Sequence, residues 1–178
     1  MHQDIGQILF EEQAIEGKVR ELGRAIMGDY DGKEPVLICV LKGSFVFMAD
    51  LVRAVDLPCQ IEFLGVSSYG SKSETTGAVR ITRDLETDIE GRHIIVVEDI
   101  LDSGLTLNYL MGYLKGRNPA SMEICTLLDK PERRRVPIKP RYTGFQIPDA
   151  FVVGYGLDFA EQYRNLPYIG VLKPEVYQ

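Results

Sequence analysis

A chain of 178 residues, 45% apolar and 26% charged, can bury one sizeable core, and nothing in it reads as disordered or low in complexity. A formal net charge of -6 disfavours a nucleic-acid partner, whose phosphate backbone an acidic surface repels. No apolar run approaches the roughly 20 residues that span a bilayer, and Met1-His2-Gln3-Asp4 begins no secretory leader, so the expectation is a single cytoplasmic domain over 1–178, with no membrane and no nucleic acid.

In chain order, Glu11 to Met27 reads as an amphipathic helix. Ile15, Val19, Leu22 and Ile26 recur at spacings of four, three and four, and Gly28 is the expected stop. Pro35 to Leu41 is a short continuous apolar run rich in β-branched residues, the pattern of a buried parallel strand. A helix from Phe45 to Val55 follows Lys42-Gly43-Ser44, and Cys59 to Val66 is strand-like. Ser67 to Leu85 changes character: Ser67 to Gly77 is polar, hydroxyl-rich and broken by glycines, as functional lids and disordered loops are, and Ala78 to Thr82 could form a strand. His93 to Val97 is another buried strand, ending in Glu98-Asp99, with a helix from Leu107 to Lys115. Met122 to Leu128 is a further strand ending at Asp129-Lys130. Phe151 to Tyr155 and Tyr168 to Leu172 are the last two expected strands. Strands alternating with helices predict a mostly parallel α/β sheet, which binds ligands at its carboxyl edge.

Cys39, Cys59 and Cys125 are far apart and form no CxxC pair, so they read as small hydrophobes in a reducing compartment. The basic run Arg133-Arg134-Arg135, with Lys139 and Arg141, is the one candidate for a local basic patch and reads as a solvated loop face. His2 and His93 sit at a terminus and a strand entrance and are taken as incidental.

Chemistry concentrates in Val96 to Thr106. An apolar strand delivers the carboxylates Glu98 and Asp99; a short loop adds Asp102, the hydroxyls of Ser103 and Thr106, and Gly104, which lets backbone approach a ligand. Amides, hydroxyls and the positive end of the following helix make a phosphate cradle. The loop lacks the GxxxxGK[ST] and GxGxxG patterns. Carboxylates beside a phosphate cradle make sense when the ligand also brings a sugar diol and a divalent cation, and when positive charge develops at a sugar carbon.

Val96-Val97-Glu98-Asp99-Ile100-Leu101-Asp102-Ser103-Gly104-Leu105-Thr106 resembles the phosphoribosyl-pyrophosphate motif of the type I phosphoribosyltransferases, in particular their hypoxanthine-guanine branch. Leu41-Lys42-Gly43-Ser44, Ser68-Tyr69-Gly70, Asp129-Lys130, Ile147 to Asp158 and Tyr163-Arg164 are similar to the family in the same order, so the resemblance spans about residues 36 to 172. It implies the family's fold, a central mostly parallel sheet flanked by helices with a small hood and a flexible lid loop. It implies Mg²⁺-dependent transfer of 5-phosphoribosyl from phosphoribosyl pyrophosphate to hypoxanthine or guanine, giving IMP or GMP and pyrophosphate, by a homodimer or homotetramer.

By the same resemblance, Asp102 would be the general base toward purine N7. Glu98 and Asp99 would bind the ribose hydroxyls and Mg²⁺, and Asp102, Ser103, Gly104, Leu105, Thr106 and Leu107 would cradle the 5′-phosphate. Lys42, Gly43 and Arg164 would hold pyrophosphate, with a non-proline cis peptide bond beside Lys42. Lys130 would donate to purine O6, Phe151 would stack on the ring, and Val152 would act through its backbone. Asp158 would help hold a second Mg²⁺, and Ser68 and Tyr69 would close as the lid. Read without the family, Lys42 is also a strand-end lysine reaching solvent and Phe151 a core aromatic. Ser103 and Leu105 depart from the threonine and lysine of other members. One alternative is a regulatory protein on the same scaffold that binds nucleic acid; the net charge and a purine pocket complete at Asp102, Lys130, Phe151 and Asp158 weigh against it. A second is an enzyme for another base, such as xanthine or a pyrimidine, since hypoxanthine, guanine and xanthine all carry O6 and differ at C2.

Overall fold

The computed structural model describes residues 1–68 and 79–178. Its elements are β1 (Ile5–Phe10), α1 (Glu12–Asp29), β2 (Val36–Leu41), α2 (Phe45–Ala54), β3 (Gln60–Ser68), β4 (Val79–Arg83), β5 (His93–Leu101), α3 (Leu105–Lys115), β6 (Ser121–Asp129), β7 (Tyr142–Gln146), β8 (Val152–Val153), β9 (Ile169–Leu172) and α4 (Pro174–Tyr177).

Six strands form the central sheet in the order β4-β3-β2-β5-β6-β7, parallel except for the antiparallel edge β4. Its strands alternate side to side, and each face finds a helix. Leu37, Cys39, Ile95 and Val97 point to the face covered by α1 and α2, where Ile15, Val19, Leu22, Ile26, Phe47 and Leu51 complete one core. Val36, Ile38, Val40, Ile94 and Val96 point the other way, onto Leu107, Leu110 and Leu114 of α3. Both faces being buried is why these strands read as unbroken apolar runs. Leu37 is fully buried. Leu37→Ala is expected to lower the free energy of unfolding by about 2–5 kcal/mol in urea denaturation, the range for a truncated core leucine.

A second, antiparallel sheet, β1-β9-β8, forms the hood. Here the structure departs from the sequence reading. Phe151 to Tyr155 and Tyr168 to Leu172 were expected in the parallel sheet; only Val152–Val153 and Ile169–Leu172 are extended, and both lie in the hood. Left-handed backbone at Gly154, Tyr155 and Gly156 stops β8 after two residues. The parallel edge is instead β7, whose alternation is too short to stand out, and β1 was not anticipated. Strand β5 continues through Glu98 and Asp99 to Leu101, because its pairing with β6 runs on to Leu101↔Asp129. Helix α1 passes through Gly28 to Asp29, and the Tyr30 amide caps it on the Ile26 carbonyl. Helix α3 starts two residues early, at Leu105, with Gly104 in the left-handed region as its cap. The three thiols are free, Cys39 and Cys125 being buried, as expected. No described helix is long and apolar enough to cross a membrane.

Candidate active site

In the sheet order, β2 and β5 lie side by side while their following helices, α2 and α3, pack on opposite faces. Such a switch point opens a crevice at the carboxyl edge. There the ends of β2, β5 and β6, with the segment between β7 and α4, wall a cleft of about 660 Å³. Lys42, Gly43, Asp99, Asp102, Lys130, Phe151, Val152, Asp158 and Arg164 all line it.

At one end the cations gather. The Leu41–Lys42 peptide bond is cis. Lys42 Nζ lies 3.1 Å from Glu161 Oε2, and Glu161 Oε1 lies 3.4 Å from Arg164 Nη2. Arg164 also pairs with Asp158 at 3.0 Å and donates to the Gly156 carbonyl at 2.7 Å. Its Nε is buried without a hydrogen-bond partner among the described residues, a costly state for a charged donor. The Glu161 amide donates to Asp158 Oδ2 at 2.9 Å. The Lys42 ammonium holds the Glu161 carboxyl below the usual carboxylate range. Lys42 is solvent-exposed, as a strand-end lysine would be, yet it is paired.

Asp99 of β5 lines the cleft, while its neighbour Glu98 is not among the lining residues. Burial pushes the Glu98 carboxyl well above the ordinary range, and the adjacent Asp99 charge adds to the rise; burial raises Asp99 as well. Asp99 Oδ1 accepts from the Ile100 amide at 2.7 Å. Its other oxygen lies directly over Gly43, where an added Cβ would stand 1.7 Å away.

At the far end, Lys130 is buried (8% side-chain exposure) and donates to the Ala150 carbonyl at 2.7 Å, with Asp149 at 3.7 Å. An ammonium has three donors; the Ala150 carbonyl takes one, and Asp149 stands beyond hydrogen-bond distance. Phe151 is 39% exposed, which removes it from the core; its ring stacks on Tyr177 at 4.7 Å. Asp102 accepts from Arg133 Nε at 2.6 Å.

The loop after β5 borders this cleft through Asp102; Ser103, Gly104, Leu105, Thr106 and Leu107, which lead into and begin α3, are not among its lining residues. First-turn amides have no intrahelical acceptor, and the Leu105 amide reaches Ser103 Oγ at 3.4 Å. The Leu107 side chain is core, leaving only its backbone for a ligand. Ser68 closes β3, while Tyr69 and the rest of the expected lid to residue 78 lie outside the described residues.

The structure adds residues the sequence reading passed over. Arg133 is about half exposed yet bridges Asp102 and Asp149, and Arg134, largely buried, pairs with the buried Asp129. Asp149, Glu161 and Tyr177 join the site too. Only the charge run and the Ile147 to Asp158 motif could have pointed to some of these, since their partners are distant in sequence.

The profile of the phosphoribosyl transferase domain family matches residues 6–160, so the chain belongs to the phosphoribosyltransferases. Its hypoxanthine-guanine phosphoribosyltransferase relative in Bacillus subtilis is 52% identical over 178 residues, covering 100% of this chain and 99% of that one. The crystal structure of a hypoxanthine phosphoribosyltransferase from Staphylococcus aureus superposes with a TM-score of 0.97 at 49% identity, covering 100% of this chain and 97% of that chain. A variant of hypoxanthine phosphoribosyltransferase from Trypanosoma cruzi, solved as a ternary substrates complex, gives a TM-score of 0.93 at 46% identity, with 99% and 100% covered. Within the family the chain falls in the hypoxanthine-guanine branch and is a transferase.

Proposed function

We propose that this chain carries out the purine-salvage reaction in which 5-phosphoribosyl passes from phosphoribosyl pyrophosphate to N9 of hypoxanthine or guanine, with Mg²⁺, giving IMP or GMP and pyrophosphate. One observation carries the reading: a single cleft has a buried lysine, an exposed aromatic ring and a carboxylate at one end, and paired cations over a close-packed glycine at the other. The two ends suit the two substrates.

Lys130 donates an N–H left free by the Ala150 carbonyl to purine O6. Adenine presents an amino donor there, and two donors facing each other leave both unpaired, which is the basis for rejecting it. The exposed face of Phe151 stacks on the base, and Val152 meets it through its backbone. Asp102 accepts the proton that the purine loses from its imidazole nitrogens as N9 attacks C1′ and the C1′–O bond to pyrophosphate breaks. Ser103 to Leu107 hold the 5′-phosphate by amides and hydroxyls at the positive end of α3. Lys42, the Gly43 backbone and Arg164 hold the leaving pyrophosphate; the buried, unpartnered Nε of Arg164 suits an anion there. Ser68 and Tyr69 belong to the lid that keeps water from the activated ribose.

Glu98 and Asp99 receive the ribose hydroxyls. Burial pushes both toward protonation, and the Asp99 charge adds to the rise at Glu98, so a diol that donates hydrogen bonds, a cation, and positive charge at C1′ each relieve them. The described residues gather no three His, Cys, Asp or Glu side chains on one point. That fits Mg²⁺, which needs only one or two carboxylates when it arrives with substrate phosphates: Glu98 and Asp99 would hold one ion and Asp158 would help hold a second. When bound, the metal neutralises charge on the pyrophosphate leaving group. A cytoplasmic homodimer or homotetramer built from one domain over 1–178 completes the proposal.

The test is steady-state turnover with phosphoribosyl pyrophosphate and Mg²⁺ against hypoxanthine, guanine, xanthine and adenine. Turnover of hypoxanthine or guanine with adenine silent is the expected result, and their ratio gives the preference. Adenine turned over as fast as hypoxanthine would sink the O6 role of Lys130; silence on every base, with nucleotide binding intact, would sink the enzymatic reading.

A further inference from the structure

We infer that Arg133 is a positioning residue for Asp102, and that the arginine run Arg133-Arg134-Arg135 is the clamp that fixes the loop after β5 against the purine end of the cleft. This rests on the reading of Asp102 given above.

The clamp engages the loop at three successive points. Arg133 Nε donates to Asp102 Oδ1 at 2.6 Å. Arg134 Nε donates to the Asp102 carbonyl at 3.2 Å. The Arg135 amide donates to the Ser103 carbonyl at 2.9 Å. Gly104 seats the same segment: a Cβ there would meet Ile138 Cγ2 at 2.7 Å, Val136 Cγ2 at 3.0 Å and Arg134 Cδ at 3.1 Å. Arg134 is itself anchored on the buried Asp129 and on the Ile138 carbonyl. Side chains, backbone and packing therefore all hold one short loop to one short segment.

Within that clamp Arg133 acts on the carboxylate. A carboxylate at a loop can turn about two torsions, and the proposed role of Asp102 needs one oxygen held toward a base bound beside Lys130 and Phe151. Arg133 takes Oδ1 and leaves Oδ2 for the purine. It is held from behind, because its Nη1 reaches the Asp149 carboxylate at 3.1 and 3.3 Å. Asp149 in turn lies 3.7 Å from Lys130 Nζ. One carboxylate thus links the lysine proposed to read O6 with the arginine that sets Asp102, so base recognition and proton acceptance share a frame. The planar fork makes both contacts at once, which a lysine ammonium cannot do with the same geometry. Asp149 and Asp102 together hold the guanidinium firmly protonated.

The experiment is a double-mutant cycle on the full-length enzyme with Arg133→Met, Asp102→Asn and the pair, reading kcat and both KM values, with Arg133→Lys as the conservative variant. Arg133 is about half exposed, so Arg133→Met is expected to unfold within a few degrees of wild type. Its kcat should fall about 10- to 100-fold, the cost of a catalytic group loosened by about an ångström, with both KM values little changed. Arg133→Lys should recover part of the loss, and in the Asp102→Asn background Arg133→Met should cost nothing more, since the group it positions is gone. Wild-type kcat in Arg133→Met overturns the assignment. So does a loss that multiplies undiminished onto that of Asp102→Asn. Full turnover by Asp102→Asn alone would overturn the reading of Asp102 and this assignment together, which separates the two failures.

Discussion

Asp102→Ala is expected to lower kcat by roughly 10²–10⁴-fold, the usual worth of a general base, while the protein folds as before. The fold should tolerate the change because Asp102 is about 40% exposed and its partner Arg133 keeps Asp149 as a second acceptor; an exposed ion pair of this kind contributes about 0–1 kcal/mol to stability. The loss should fall on kcat more than on the KM for phosphoribosyl pyrophosphate, because the phosphate contacts are proposed for backbone and hydroxyl groups after Asp102 and for the opposite end of the cleft. Turnover at fixed saturating substrates, with thermal unfolding measured beside it, checks both parts. Near wild-type kcat would remove Asp102 from the chemistry; a collapsed unfolding midpoint would make it a structural residue instead.

How much of this was legible beforehand follows from range in the chain. Asp102, Glu98 and Asp99 sit in one continuous segment whose apolar strand, loop and helix announce themselves by local pattern, so their neighbourhood could be read directly. Lys42 and Lys130 were visible as polar ends of apolar strands, and the parallel order then brings β2, β5 and β6 to one edge. The hood was another matter. Strand β8 has two residues and β9 four, too few for periodicity, and β1 pairs with β9 across more than 150 positions, as in Phe10↔Ile169. Nothing local distinguishes such strands from the parallel kind. The arginine run shows a different failure. Three consecutive basic residues look the same whether they meet water or a carboxylate, and Arg133 meets Asp102 only because β5 and β6 are neighbours that end level, at Leu101↔Asp129.

Gly43→Ala is expected to cut kcat/KM for phosphoribosyl pyrophosphate by on the order of 10²-fold through a residue that carries no functional side chain. Gly43 does not need glycine for its backbone angles, being absent from the left-handed region; it needs glycine for space. An added Cβ would lie 1.7 Å from Asp99 Oδ2 and 2.7 Å from its Cγ. Something must move, and the backbone has little room to do so: Gly156 approaches from the other side so closely that a Cβ of its own would stand 2.2 Å from the Gly43 carbonyl oxygen. Gly156 in turn is tied to Arg164 by two hydrogen bonds, its amide to the Arg164 carbonyl at 2.9 Å and its carbonyl to the guanidinium at 2.7 Å. The flexible partner is therefore Asp99, whose carboxylate must swing away from where the ribose hydroxyls and the metal are proposed to meet it. A displacement of about 1 Å at a substrate-positioning group costs about 10²-fold. Because the conflict is with the far end of a side chain, the unfolding midpoint should change by only a few degrees. Combining the substitution with Asp99→Ala gives the sharper check. If Gly43→Ala acts by displacing Asp99, it should add little once that carboxylate is gone; if the two losses multiply, the glycine serves the pyrophosphate by another route. Wild-type kcat/KM in Gly43→Ala would show that the close approach of Gly43 and Asp99 has no part in catalysis.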